Sequence, residues 1–193
     1  MNRNLQEKLL FQFLKSMAPI SQELFDEIIP LFVSESYNAG DYLVRQGDEV
    51  FDIFFIINGL VRSFYLTKDG VERNKCFYGE NSVVSPHYSL SIGSRSNLNI
   101  VCIEKTIVLK VNFKKIRQLN DEHLGLQICA RKIAEKEFVS KDKRELQFLT
   151  MDSKDRYIEF TKDYAHLLSR IPDNQIASYL GIRKETLSRL KKP

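Results

Sequence analysis

At 193 residues the chain has room for one large domain or two smaller ones, and 43% hydrophobic residues are enough for a packed core. No apolar run approaches the ~20 residues that a membrane-spanning helix needs, and the start, MNRNLQEKLLFQFLKS, mixes charges into its apolar positions without a small-residue cleavage site. A cytoplasmic protein with no membrane partner is expected, and three scattered cysteines without a Cys-x-x-Cys pair (Cys76, Cys102, Cys129) exclude a disulfide framework and an iron–sulfur or zinc site within one chain.

Residues 1 to about 36 carry helical spacing: Leu5, Leu9, Leu10, Phe13 and Leu14, then Leu24, Ile28 and Ile29. Pro19 separates the two runs, and Ser21 is a helix start. From Tyr37 to about Val111 the pattern changes to short strands. Turn chemistry recurs at Asn38–Asp41, Gln46-Gly47-Asp48, Asn58-Gly59, Lys68-Asp69-Gly70 and Tyr78-Gly79-Glu80. Between the turns lie β-rich runs at 53–57, 60–66, 71–78, 98–103 and 106–111. Asp69-Gly70 marks a hairpin, and strands at this spacing predict a small sandwich or barrel. Its aromatic residues, Phe51, Phe54, Phe55, Phe64, Tyr65, Phe77 and Tyr78, serve either as core and cross-strand pairs or as the lining of a pocket for an apolar ligand.

Helix returns at Phe113, breaks near Asn120, and continues from Asp121 to Leu149. Leu126, Cys129, Ile133, Lys136 and Ser140 form one stripe, with Leu124, Ile128 and 134–138 beside it. A helix of this length cannot bury both ends in a small domain, so it is either a dimer seam or a connection packed on its own barrel. A further helix from Ser153 to Leu168 is capped by Asp152 and buries Tyr157, Ile158, Phe160, Tyr164 and Leu167. The division expected is a sensor domain over 1–120, a dimerisation or linker helix over 121–149 and a DNA-binding domain over 150–193.

The final stretch, RIPDNQIASYLGIRKETLSRLKKP, has the layout of a helix-turn-helix. Ala177 lets the second helix cross closely, Gly181 accepts positive φ in the turn, and Ile182, Thr186, Leu187 and Leu190 alternate with polar residues. The net charge is +4, and the five basic residues from Arg183 to Lys192 against the single acidic Glu185 account for all of it. A basic tip on a neutral body suits contact with phosphate at one end of the molecule. A rival use of this hairpin is protein contact alone.

Chemistry-bearing clusters are otherwise missing. A cupin-like metal enzyme needs two or three His in the barrel, and only His87 lies there, with His123 and His166 on later helices. No Ser–His–Asp or Cys–His spacing suggests catalysis. No catalytic residue, no metal ligand and no enzyme activity is expected.

The whole chain resembles the catabolite-activator/fumarate-nitrate-regulator (Crp–Fnr) family of bacterial transcription factors. The resemblance is carried by Arg45–Asp48, Phe54–Gly59, Val61-Arg62 and Asp69-Gly70 at one end, and by Asp155-Arg156-Tyr157, Ile176–Ile182 and Glu185–Arg189 at the other. It implies an α+β chain with an N-terminal double-stranded β-helix, a cyclic-nucleotide-binding-like jelly-roll barrel with flanking helices. A long dimerisation helix and a C-terminal winged helix-turn-helix follow. Double-stranded DNA, a second copy of the chain and RNA polymerase are the implied partners. Carried over by position, Lys184, Glu185 and Arg189 read bases, while Arg183, Ser188, Lys191, Lys192, Gln175 and Thr186 hold phosphates.

The cyclic-nucleotide clamp departs from the family pattern. Ser96-Asn97-Leu98 stands where the phosphate-binding Arg-Ser/Thr-Ala should be, with Arg95 one residue away, and Glu80 falls in the preceding turn. The effector is therefore not expected to be cyclic AMP, no cofactor is named, and Phe55, Phe64, Phe77, Val84, Ser85, Arg95, Ser96 and Asn97 are the candidates for an effector pocket.

Overall fold

The structure is a computed structural model, and it describes residues 1–192. Two helices open the chain, α1 (Arg3–Met17) and α2 (Gln22–Ile28). The Asn2 side chain accepts from the Leu5 amide at 2.9 Å, and the Ser21 hydroxyl accepts from the Leu24 amide at 3.2 Å, so each start satisfies an orphan amide. Eight strands follow: β1 (Val33–Tyr37), β2 (Tyr42–Val44), β3 (Asp52–Asn58), β4 (Val61–Leu66), β5 (Glu72–Tyr78), β6 (Val83–Val84), β7 (Asn99–Cys102) and β8 (Thr106–Asn112). A short helix, α3 (His87–Ile92), lies between β6 and β7. The strands form two antiparallel four-stranded sheets, ordered β1-β8-β3-β6 and β2-β7-β4-β5.

Alternation along β3 divides the core. Phe54 and Ile56 point between the sheets, where they meet Val61, Tyr78, Ile100 and Val108. Phe55 and Ile57 point out of the first sheet, where Leu10 and Leu14 of α1 and Phe25 and Ile28 of α2 cover them with Leu109 and Val111. Each such side chain contributes roughly 1.5–3 kcal/mol by leaving water. The sheets therefore need their helices: an uncovered first sheet would expose its outer apolar row.

The turn before β4 places Gly59 at φ 115, where a Cβ would lie 2.4 Å from the Thr106 hydroxyl and 2.8 Å from the Lys105 carbonyl. No other residue fits there without moving the β7–β8 turn. The hairpin at Asp69-Gly70 is present, with the Gly70 amide bonded to the Thr67 carbonyl at 3.0 Å and Leu66 paired to Glu72.

Five more α-helices complete the described chain: α4 (Phe113–Glu122), α5 (Leu124–Thr150), α6 (Ser153–Asp163), then α7 (Asp173–Leu180) and α8 (Lys184–Leu190). Several boundaries differ from those expected. Residues 33–37 are a strand rather than the end of a helical segment, and 87–92 is a helix inside the β region. The break between α4 and α5 falls at His123, extended at φ −125 and ψ 108, not at Asn120. The helix begun by Asp152, whose carboxylate accepts from the Lys154 and Asp155 amides, ends at Asp163, and Ile158 is exposed instead of buried. In α5, Leu126 and Cys129 pack on the chain's own first core. Among the described residues no strand follows β8, so the helix pair at the C-terminal end forms without the β wing that the resemblance implies.

Candidate nucleic-acid interface and sensor pocket

The helix pair α7–α8 is built around one left-handed residue. Gly181 has φ 68, and the Ile182 amide reaches back to the Ala177 carbonyl at 3.0 Å, closing the C-terminus of α7. A Cβ on Gly181 would also press on the Phe148 ring at 3.2 Å. Ile176, Leu180 and Leu187 are buried beneath the turn. That leaves Arg183, Lys184, Glu185, Ser188, Arg189, Lys191 and Lys192 exposed and Thr186 half-buried. Lys191 is ion-paired to Asp173, whereas Arg183, Lys184, Arg189 and Lys192 have no acidic partner among the described residues. Glu185 does not pair with Arg189, although the two are one turn apart.

Gln175, expected at a phosphate, faces the other way. Its side-chain carbonyl accepts from the Asn74 amide group at 2.7 Å, and its backbone carbonyl from the same group at 2.9 Å. Asn74 belongs to β5, so the barrel occupies this side chain. The contact is one part of a broad seam between β5 and α7. The Asn74 backbone amide donates to the Ser178 hydroxyl at 3.1 Å, which donates to the Glu72 carbonyl at 2.8 Å. From α5, Arg144 donates to the backbone carbonyls of Asn74 and Tyr179 at 3.0 and 2.8 Å, and its guanidinium lies 3.8 Å from the centre of the Tyr179 ring. Phe77 of β5 completes the seam, with its ring centre 6.1, 5.5 and 5.7 Å from those of Phe160, Tyr164 and Tyr179.

A second anchor joins the same two parts. Arg170 bonds the Glu80 carboxylate with both terminal nitrogens, at 2.9 and 2.8 Å, and the Glu104 carboxylate at 2.5 and 3.3 Å. These two acids cap the turns β5–β6 and β7–β8. Glu80 also accepts from the Gly59 amide at 2.9 Å. Burial alone would raise the Glu80 carboxyl, but the bonds from Arg170 and Gly59 outweigh it and hold it down at about 2. This group thus adds stability above pH 4.5, its ordinary value, and the contribution disappears as pH falls from there through about 2. Arg170→Ala should remove most of that contribution. The gap in melting temperature between wild type and variant should be wide at about pH 7 and narrower at about pH 3. An equal gap at both values would mean that the ion pair adds nothing to the seam.

The candidates for an effector pocket separate into different places. Phe55, Ser85 and Asn97 line a cavity of 760 Å³ between the barrel, α1 and α5. Phe64 lies buried beneath the Arg62 guanidinium, and Phe77 belongs to the seam with α7. Val84 fills the space between the sheets. Arg95 is exposed and donates to the Gly47 carbonyl at 2.9 Å and to Glu49 at 3.2 Å. Ser96 is buried and donates to the Leu98 carbonyl at 2.7 Å. None of these five lines the cavity, and Arg95 offers no guanidinium to a ligand inside it. Lining residues that sequence reasoning missed include Leu10 and Phe13 of α1, and Lys75, His87 and Lys141. The spacing of Leu10 and Phe13 signals burial, not a cavity, and the three polar residues sit in segments with no motif.

Residues 34–123 match the family model of the cyclic nucleotide-binding domain. No curated protein is similar to the chain in sequence. Solved structures resemble it over most of its length. A transcriptional regulator of the Crp/Fnr family from Eubacterium rectale superposes with a TM-score of 0.70 at 13% identity, over 89% of this chain and 82% of the other. The fold is that of the Crp–Fnr regulators. FixK2 from Bradyrhizobium japonicum superposes with a TM-score of 0.74 at 19% identity over 82% of each chain. The catabolite activator protein of Thermus thermophilus does so with a TM-score of 0.54 at 22% identity, over 89% and 82%. Among the described residues no helix is long and apolar enough to cross a membrane.

Proposed function

We propose that the chain is a DNA-binding transcriptional regulator that acts as a homodimer, with α8 as the helix that enters the major groove. The observation that carries this reading is the outward row on α8. Arg183, Lys184, Glu185, Arg189 and Lys192 are exposed and unpaired among the described residues, on a helix whose inner face is locked by Leu187. Arg189 bonds guanine O6 and N7 with both prongs of its guanidinium, and Glu185 accepts from cytosine N4. Lys184 is a point donor without a planar fork and reads its base less strictly. Arg183, Ser188 and Lys192 lie beside these and hold phosphates. Lys191 joins them by exchanging Asp173 for a phosphate. Gln175 takes no part while Asn74 holds it.

A second chain supplies the symmetry that DNA reading needs. On α5 the apolar side chains Leu124, Phe138, Val139, Leu146 and Leu149 are each more than half exposed. Leu124 and Phe138 lie two heptads apart, Val139 and Leu146 one, and Leu149 three residues beyond Leu146, so the five form neighbouring apolar rows along α5 that a second copy of the helix would cover. Two copies of α8 then meet half-sites about one helical turn, ~34 Å, apart. The barrel is the sensor half of the molecule, with the 760 Å³ cavity as its effector site.

Fluorescence anisotropy with a labelled random duplex tests the electrostatic part. A dimer making six to eight phosphate contacts should lose about 10³–10⁵ in affinity between ~50 and ~200 mM salt. Weak binding that ignores salt would favour the reading in which the helix pair serves protein contacts.

A further inference from the structure

The cavity beside α5 has two chemically distinct ends. Its floor is apolar: Leu10 and Phe13 of α1, Phe55 of β3, Val111 of β8 and Ile133 of α5. The rings of Phe13 and Phe55 lie 4.9 Å apart across this floor. The other end gathers Lys75, His87, Glu137 and Lys141. Lys75 is there because of a bulge. The β4–β5 register pairs Ser63 with Cys76 and Phe64 with Asn74, so Lys75 is the extra residue, and a bulge of this kind re-aims a side chain.

Neither ammonium is neutralised. Lys75 and Lys141 make no ion pair among the described residues, and the one carboxylate at this end, Glu137, is likewise unpaired. Two cations therefore face one anion. Partial burial lowers the basicity of His87, and the neighbouring Lys141 lowers it further, against Glu137. The volume, 760 Å³, falls within the ~300–1,000 Å³ range of small-molecule sites.

We infer that this cavity takes a small amphiphile, with one carboxylate or phosphate head at Lys75 and Lys141 and a hydrocarbon or aromatic body along the floor. A nucleotide suits the site poorly. The base edge and ribose hydroxyls of a nucleotide would gain no hydrogen bond from Leu10, Phe13, Phe55, Val111 or Ile133, and each polar group left unpaired against them is costly. Arg95, the one guanidinium near the usual phosphate position, is turned toward Gly47 and Glu49. The inference rests on the reading of the barrel as a sensor, but it is measured without DNA.

Isothermal titration of the full chain with decanoate, decanol and cyclic AMP tests it. Decanoate should bind saturably, one per chain, and decanol roughly tenfold or more weakly, since a charged head gains charge-assisted hydrogen bonds. The double variant Lys75→Ala, Lys141→Ala should lose the preference for the acid while binding decanol as before. Ile133→Trp, which fills the floor, should lose both, and an unchanged melting temperature in either variant shows that the fold is retained. Equal binding of acid and alcohol by the wild type, preference for cyclic AMP, or no saturable binding of any of the three overturns the inference. If decanoate binds but leaves DNA affinity unchanged, the ligand class stands and the sensor reading falls.

Discussion

Phe77→Ala is expected to destabilise the protein by about 3–5 kcal/mol and to split its unfolding into two transitions. Phe77 is 3% exposed and sits where β5 meets α6 and α7. Its ring contacts Phe160, Tyr164 and Tyr179 and is enclosed on the barrel side by Leu60. Truncation leaves a void that neither side can fill, because the β5 backbone is held by Asn74 and α7 by Ser178 and Tyr179. The loss falls on the seam, not on either half. Calorimetry should therefore show the α6–α8 unit melting below the barrel. Phe64→Ala is the control: Phe64 is equally buried but lies in the barrel, against Tyr42 and Arg62. It should lower stability by a similar amount while keeping one transition. A single transition in the Phe77 variant, at unchanged temperature, would mean that the helix pair does not rest on β5.

Arg189→Ala carries the second large effect. The loss of a bidentate guanine contact should cost roughly 1–3 kcal/mol on the preferred duplex and relax the preference at one base pair. Arg189 is exposed and without an acidic partner, so the substitution leaves no buried charge behind and the fold should be unaffected. Lys192→Ala provides the contrast. As a phosphate contact it should weaken preferred and random duplexes alike and reduce the salt slope by about one per site. Competition binding with both duplexes separates the two. An Arg189 variant that loses affinity equally for both would place Arg189 on the backbone of the DNA.

The parts of this fold that were legible in the sequence are those set by neighbours in the chain. The Asp69-Gly70 hairpin, the Ser21 and Asp152 caps and the Gly181 turn all depend on residues within a few positions. The strand β1 carries no clear signal because Val33-Ser-Glu-Ser-Tyr is mostly polar and lies half in water at the edge of its sheet, paired only to β8. The break at His123 has no proline, and the glycine near it, Gly125, lies inside α5. Long-range placement was the larger gap. Gln175 faces the barrel because of Asn74, 101 residues away, and nothing near Gln175 signals it. The aromatic character of Phe77 fits a core or a pocket lining equally well, and only the fold places it in the seam with α7. The bulge at Lys75 changes the parity of β5, so Asn74 and Phe77, three residues apart, both meet α7. The same bulge hides Lys75 from any period-two reading. The cavity joins residues from α1, β3, β5, β8 and α5, a set that only the fold assembles.

The central claim, a dimer that reads DNA through α8, is tested most directly by selecting binders from a pool of random duplexes with the full chain. The account predicts enrichment of an inverted repeat with half-site centres about 10 base pairs apart, containing a guanine in each half that the Arg189→Ala protein no longer selects. Enrichment of no sequence, or of a motif that the Arg189→Ala protein selects equally well, would contradict it.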